Sequence, residues 1–208
     1  MTVTPVVWTV DPVHPDPGTI EAAARIVCEG GLVIVPTETV YGLAADAANP
    51  AALERLNRVK GRPPQKPYAL QVTDATAARA LAPDVPPAAA RLMERFWPGP
   101  LTIVLPTSEG TVGIRVPEHP VARALLRRCG RPLAVPSANR SGAPAPMNAQ
   151  DAMASLKGQY DGVLDAGPST VGRESTVVSV NGEAVAILRE GAIPTFAVRA
   201  AAGGATKA

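Results

Sequence analysis

Residues 32–43 read LVIVPTETVYGL and join a strand to a polar segment. Positions 32–35 are four consecutive aliphatic side chains, which is typical of a short buried strand. The hydroxyl groups of Thr37 and Thr39 and a glycine at position 42 then replace the apolar run. In open α/β sheets, ligands bind where strands end. The segment therefore predicts one wall of a binding site.

The rest of the chain divides into short strands and helices with turn residues between them. Helices are predicted from Pro17 and from Asn148, and over residues 51–59, 74–81, 87–96 and 120–128. Strands are predicted over residues 6–10, 68–72, 101–105, 112–116, 132–135, 162–165, 175–180 and 184–188. Asn181-Gly182 between the last two strands is a strong hairpin signal.

Composition indicates one globular unit. The chain has 208 residues, of which 46% are hydrophobic, 18% charged and only 3% aromatic, so the core must be aliphatic. We expect a single domain over residues 1–199 and a flexible tail over residues 200–208. The net charge of +2 is too small to indicate a general nucleic-acid-binding surface, so any basic site has to be local.

The two cysteines, Cys28 and Cys129, have no CxxC spacing and no adjacent histidine, which argues against a zinc site. Buried free thiols are expected instead, and these suit a reducing cytoplasm. We see no signal peptide, and no apolar stretch approaches the length of about 18 residues that a membrane span requires.

Residues 58–67 read RVKGRPPQKP and carry four cations without an anion. Three prolines make this arm stiff and keep it out of a helix. A stiff cationic arm loses little entropy when it meets an anion, and arginine can bind phosphate or carboxylate in a bidentate way. The arm by itself is equally compatible with an anion clamp and with a solvated basic loop.

A second strand ending in small polar groups is predicted at residues 136–142, PSANRSG. Arg115 lies in a predicted strand, where it requires either a ligand or a structural ion pair. No GxxxxGK[ST] loop, GxGxxG loop or GxSxG elbow occurs, and His14 and His119 are both expected on the surface. Phosphoryl or nucleotidyl transfer fits these residues, because that chemistry depends on positioning and charge stabilisation.

The pairing of Lys60-x-Arg62 with Ser137-x-Asn139 resembles the KxR…SxN signature of the YrdC-like L-threonylcarbamoyl-AMP synthases. Further blocks resemble the family in the same order: PTETVYGL (36–43), WPGPLT (97–102), VGIRVP (112–117), PSAN (136–139), EST (174–176) and LREG (188–191). The resemblance implies the single-domain form and an α/β (α+β) fold. Its sheet would be twisted, mixed and largely antiparallel, with flanking helices around a large basic cleft.

The resemblance also implies an activity. Members of the family condense ATP, L-threonine and bicarbonate, with Mg²⁺, into threonylcarbamoyl-AMP and pyrophosphate. The chain would then be a nucleotidyltransferase. Its product would pass to the tRNA threonylcarbamoyl transferase machinery, which makes threonylcarbamoyladenosine in tRNA.

The resemblance also implies a role for each residue that matches a position of the family's motifs. Lys60 and Arg62 would be the catalytic cations. The resemblance implies that ATP is bound by Arg62, Lys66, Thr111, Asn139, Met147 and Arg189. It implies that L-threonine is bound by Thr39, Arg115, Ser137 and Ser175, with Arg115 contacting the carboxylate. It gives no protein-bound metal, and we assign no general base, because the attacking N-carboxythreonine is already anionic.

The sequence departs from the family's pattern at one position, and two other functions are also compatible with it. Gln71 occupies a position where many relatives carry a histidine. An RNA-binding module could use the same basic cleft for weak RNA binding, although stacking aromatic residues are few. A related carbamoyl-adenylate module of hydrogenase maturation is the third reading, but its zinc-finger and acylphosphatase-like partners are not seen in this sequence.

Overall fold

The computed structural model describes residues 4–62 and 67–203. This part of the chain contains ten strands: β1 (Val6–Thr9), β2 (Val33–Val35), β3 (Gly42–Asp46), β4 (Leu70–Gln71), β5 (Leu101–Thr107), β6 (Gly110–Arg115), β7 (Leu133–Ala134), β8 (Gly162–Asp165), β9 (Thr176–Asn181) and β10 (Ala184–Arg189). Its seven helices are α1 (Pro17–Cys28), α2 (Pro50–Lys60), α3 (Ala75–Leu81), α4 (Pro87–Phe96), α5 (Pro120–Cys129), α6 (Ala149–Leu156) and α7 (Thr195–Ala201).

All ten strands form one mixed sheet in the order β1-β8-β2-β3-β7-β4-β6-β5-β9-β10. Parallel pairs are β1–β8, β2–β8, β4–β6 and β5–β9. The five antiparallel pairs are β2–β3, β3–β7, β4–β7, β5–β6 and β9–β10. The expected α/β fold with a mixed sheet is confirmed, although antiparallel pairs outnumber parallel ones by only five to four.

Strand β2 is buried on both faces, as its aliphatic sequence predicts. Val33 and Val35 pack in a cluster with α1 and α5, whereas Leu32 and Ile34 belong to a second cluster with α2 and α6. A third cluster packs α4 and α7 against β5, β6 and β9. The strand therefore ends deep inside the protein, and the polar segment after it is also buried.

Local signals explain where the helix that leads to the basic arm begins and ends. The side chain of Asn49 accepts hydrogen bonds from the backbone N–H groups of Ala51 and Ala52, and Pro50 occupies the first turn of α2. Gly61 ends the helix in the left-handed conformation, with φ 61°. The sequence predicted this helix and its cap correctly.

The hairpin at Asn181-Gly182 is confirmed. Asn181 pairs with Ala184 across β9 and β10, and Gly182 has φ 58°, as a tight turn of this kind requires. The hairpin matters for the site because β9 begins, and β10 ends, beside the cleft described below.

Two elements were not predicted. Strand β3 pairs with β2 and β7, so residues 36–41 form a buried reversal between two antiparallel strands. Helix α7 continues past the predicted domain boundary at residue 199, and Ala202 is buried in the cluster that contains α4. Residues 200–202 therefore belong to the folded domain, which corrects the predicted tail at its start. Residues 204–208 lie outside the described residues.

The helices described in residues 4–62 and 67–203 include none that is both long enough and apolar enough to cross a membrane.

Candidate functional site

One cleft brings together most of the residues that the sequence predicted. It has a volume of about 620 Å³, which lies within the usual range for small-molecule sites. Nine of the predicted residues line it: Thr39, Lys60, Arg62, Thr111, Arg115, Ser137, Asn139, Ser175 and Arg189. These residues come from six separate segments, so the sheet topology assembles the site.

The two polar strand ends are neighbours in the structure. Gly42 forms an isolated antiparallel bridge with Ser137. The backbone N–H of Leu43 donates to Pro136 O, and that of Ala138 donates to Tyr41 O, each at 2.8 Å. The prediction that residues 37–39 and residues 137–139 contribute to one site is consistent with this pairing.

Lys60 links the basic arm to the second strand end. Its Nζ donates to Ser137 O at 2.5 Å and to Asn139 O at 2.7 Å, and the residue is 4% exposed. The backbone carbonyl of Lys60 also accepts from the N–H of Ser141. Lys60 therefore holds the loop that carries Ser137 and Asn139, a role that residue type alone did not indicate.

Burial, together with the nearby charge of Arg62, lowers the pKa of the Lys60 ammonium to about 8. In the unfolded chain this pKa returns to about 10.4. Between these two values the unfolded chain binds more protons than the folded protein, so this lysine makes the free energy of unfolding rise with pH.

We expect the free energy of unfolding of the wild type, relative to Lys60→Met, to increase by up to about 3 kcal/mol across this window. All other titratable groups are the same in the two proteins. The difference between their free energies of unfolding therefore reports the titration of Lys60. Urea unfolding of both at about pH 7 and about pH 10 measures it. An unchanged difference between the two pH values would contradict a lowered pKa.

Arg62 lies in the basic arm and lines the cleft, where it is half-buried. Its Nη2 donates to Pro67 O at 2.8 Å, and its guanidinium lies 4.6 Å from the ring centroid of Tyr68. These contacts orient the side chain in the cleft. Lys66, the third cation predicted for phosphate, lies outside the described residues.

Arg115 is anchored by three groups. Its Nη2 donates to Glu38 Oε1 at 2.6 Å and to Thr39 Oγ1 at 2.9 Å, and its Nε donates to Gly99 O at 3.2 Å. Arg115 and Glu38 are both buried. The two alternatives left open for this cation, a ligand or an ion pair, are compatible, because Arg115 has a buried partner and still lines the cleft.

Glu38 is the residue that sequence reasoning missed. A signal for it was present, since an acidic residue stood between two threonines at the end of a buried strand. A buried carboxylate requires a cation or hydrogen-bond donors, and the mid-strand Arg115 was the matching cation.

The start of β9 and the end of β10 form the opposite wall. Ser175 Oγ lies 2.9 Å from Thr102 Oγ1. Arg189 pairs with Glu174 at 2.8 Å and donates from Nη2 to Ser175 O at 2.8 Å. Arg189 thus fixes the backbone of Ser175 as well as adding charge to the cleft.

Asn139 presents an acceptor without a partner. Its Nδ2 donates to Arg140 O at 3.1 Å and to Ala143 O at 2.6 Å, which fixes the orientation of the amide. Its Oδ1 is buried and has no hydrogen-bond partner among the described residues. Because an unsatisfied buried acceptor is costly, a ligand that offers an N–H group would be favoured there.

Met147 is not among the residues that line the cleft. Its side chain is 48% exposed, and its Sδ lies beside Gly172, 2.9 Å from where a Cβ on that glycine would stand. The structure therefore does not bring Met147 together with the other predicted nucleotide contacts. Gln71, by contrast, is buried and lines the cleft at the position where relatives were expected to carry histidine.

The surface prediction holds for His14, which is exposed, but it is wrong for His119. His119 is half-buried, and its Nδ1 accepts a hydrogen bond from the backbone N–H of Val121 at the start of α5. Burial lowers the pKa of His119, while the charge of Glu38 opposes this shift. Its role in the described structure is to cap the helix.

Known proteins share this architecture. The family model described as "Telomere recombination", which covers Sua5, YciO and YrdC, matches residues 25–191. The threonylcarbamoyl-AMP synthase of Bacillus subtilis is 40% identical over 195 residues, which cover 88% of this chain and 56% of that protein. A crystal structure of P. abyssi Sua5 complexed with L-threonine has a TM-score of 0.90 and 36% identity, over 96% of this chain and 61% of that chain.

The crystal structure of E. coli YciO has a TM-score of 0.80 and 27% identity, over 90% of this chain and 96% of that chain. The chain thus spans less than two thirds of the Bacillus and P. abyssi proteins, and nearly all of YciO. Every cleft residue from Thr39 to Arg189 lies inside the matched residues 25–191. Sequence, fold and cleft agree, and the chain belongs to the Sua5/YciO/YrdC family.

Proposed function

We propose that the protein is an L-threonylcarbamoyladenylate synthase. It would convert ATP, L-threonine and bicarbonate into threonylcarbamoyl-AMP and pyrophosphate. The observation that carries this proposal is the single cleft in which the Lys60 and Arg62 cations, the Ser137 and Asn139 loop and the buried Arg115 meet. The name of the Bacillus subtilis relative supports the same reaction.

L-threonine would bind at the end of the cleft that contains Arg115. Nη1 of Arg115 would donate to its carboxylate, and Thr39, Ser137 and Ser175 would supply hydroxyl groups for the remaining polar atoms. The structure of P. abyssi Sua5 with L-threonine supports this class of substrate. Gln71 lines the same cleft and offers an amide in place of the imidazole.

ATP would occupy the end that contains the basic arm. Arg62, Lys66 and Arg189 would meet its phosphates, while Thr111 and Asn139 would contact the nucleoside. The unsatisfied Oδ1 of Asn139 matches the exocyclic amino group of adenine, which donates hydrogen bonds. Met147, whose side chain is 48% exposed, would contact the nucleotide as well.

The chemistry requires little beyond positioning and charge. The amine of threonine, after losing a proton to solvent, condenses with bicarbonate to give N-carboxythreonine and water. A carboxylate oxygen of N-carboxythreonine then attacks the α-phosphorus of ATP, and pyrophosphate leaves as the new P–O bond forms. Both reactants are anionic, so Lys60 and Arg62 would act by reducing their repulsion and stabilising the charge on the phosphate oxygens. No general base is needed, because the nucleophile is already deprotonated.

We propose that Mg²⁺ arrives as part of the ATP substrate. The described residues contain no group of three or more His, Cys, Asp or Glu side chains arranged to hold a metal ion. Glu174, a carboxylate that lines the cleft, is paired with Arg189. Phosphate oxygens are the usual Mg²⁺ ligands in nucleotide sites, where the ion keeps several waters.

The acyl-adenylate product is an activated mixed anhydride, and a tRNA threonylcarbamoyl transferase machinery would consume it. We place this reaction in the cytoplasm. Free thiols, as the sequence predicts for Cys28 and Cys129, would suit this location, because they persist in reducing compartments.

Pyrophosphate release tests the proposal. Purified protein with Mg·ATP should release pyrophosphate only when threonine and bicarbonate are both present, and omitting either should reduce release to background. Release that is independent of threonine would contradict the proposal. RNA binding that is sensitive to salt and unaffected by ATP, without any pyrophosphate, would support the RNA-binding module instead.

A further inference from the structure

Glu38 places a negative charge directly beside the cation that would bind threonine. Its side chain and that of Arg115 are 7% and 8% exposed, so water screens the pair poorly. Glu38 Oε2 also accepts a hydrogen bond from the backbone N–H of Glu118 at 3.2 Å. The carboxylate is therefore held in place from both sides.

The contacts of Arg115 limit what it can offer to a ligand. A guanidinium has five N–H donors. The two on Nη2 reach Glu38 and Thr39, and the one on Nε reaches Gly99 O. The two on Nη1 have no partner within residues 4–62 and 67–203. One nitrogen thus remains for a ligand, which matches one carboxylate oxygen rather than a phosphate group with three.

Charge favours the same ligand. The Arg115–Glu38 pair has no net charge, so an anion at Nη1 gains a hydrogen bond but little net Coulomb attraction. A phosphate dianion would have to give up the hydration of two charges at this buried position with no net attraction to offset that cost, whereas a carboxylate gives up the hydration of one. Lys60, which also lines the cleft, has backbone carbonyl partners instead of a carboxylate.

We propose that Glu38 is a specificity-determining residue that restricts Arg115 to a single carboxylate and excludes phosphate groups from this end of the cleft. The inference rests on the proposed function, in which the carboxylate belongs to threonine. It explains how two anionic substrates bind in one basic cleft in a single orientation. Glu38 directs the triphosphate towards the basic arm.

Calorimetric titration with L-threonine tests the inference, with inorganic phosphate and propionate as competing anions at equal ionic strength. Propionate, a monocarboxylate, should compete with threonine for the wild-type protein, whereas phosphate should change the apparent Kd by less than about twofold. In Glu38→Gln, phosphate should raise the apparent Kd for threonine by about tenfold or more, because the repelling charge is gone.

Glu183→Gln is the control. It removes the carboxylate of an arginine pair whose residues do not line the cleft, Arg91–Glu183, and should leave the threonine titration insensitive to phosphate. Glu38→Asp keeps the charge and should behave in the same way. Circular dichroism of each variant establishes that it is folded before titration.

Phosphate competition in the wild type would overturn the inference, and so would a folded Glu38→Gln that stays insensitive to phosphate. If Glu38→Gln does not fold, the wild-type comparison of propionate with phosphate decides the question. Wild-type protein that does not bind threonine at all would overturn the proposed function itself. Threonine binding without any discrimination between the two anions would overturn only the role of Glu38.

Discussion

Arg62→Ala is expected to lower kcat/KM for pyrophosphate release by about a hundredfold or more, the usual cost of removing one donor that stabilises transition-state charge. The side chain is half-buried at the edge of the cleft and contacts Pro67 O and the Tyr68 ring. Its loss should therefore change the free energy of unfolding by no more than about 1 kcal/mol. Steady-state kinetics together with urea unfolding separate the two effects.

Arg58→Ala is the matched control for this prediction. Arg58 belongs to the same basic arm, in the last turn of α2, but its side chain is 70% exposed and its ion-pair partner is Glu54, at 3.7 Å. Exposed pairs of this kind contribute little to stability, so both activity and stability should stay near the wild-type values. If Arg62→Ala kept full activity, the basic arm would have no part in the mechanism.

Arg115→Met is expected to have two large effects. Threonine should lose its carboxylate partner, which should reduce kcat/KM for threonine by about a hundredfold or more. Glu38 should be left as a buried unpaired charge, at a cost of about 3–5 kcal/mol in stability. For a domain of this size, that corresponds to a fall in Tm of roughly 6–20 °C.

The double variant Arg115→Met/Glu38→Met separates these effects. Replacing a buried ion pair by apolar side chains of similar volume is often neutral or stabilising. The double variant should therefore recover most of the lost Tm without recovering threonine-dependent turnover. A single variant with unchanged Tm, or a double variant that regains activity, would contradict the assigned role of Arg115.

The sequence predicted the elements whose signals are local. The Asn49-Pro50 cap, the Asn181-Gly182 turn and the aliphatic run at residues 32–35 each specify their structure within a few positions. Strand β3 has no such signal, because its five residues become a strand only through pairing with β2 and β7. Helix α7 lacks a side-chain cap at Pro194, so its start was equally hard to recognise.

Residue type identified the cations of the cleft, but it could not identify their partners. The partners of Lys60 are backbone carbonyl groups of Ser137 and Asn139. Every residue carries such a carbonyl, so only the fold selects these two. Glu38 was predictable in principle, since a buried cation in mid-strand requires an anion. The position of Met147 could not be predicted, because it depends on packing against the loop that contains Gly172.

Mass spectrometry of the product formed from ATP, L-threonine and ¹³C-bicarbonate tests whether the protein makes threonylcarbamoyl-AMP. We expect an adenylate with the mass of threonylcarbamoyl-AMP, heavier by the one labelled carbon. Its formation should be lost in Arg62→Ala and retained in Arg58→Ala. An adenylate that lacks the label, or no threonine-dependent adenylate at all, would rule out the proposed reaction.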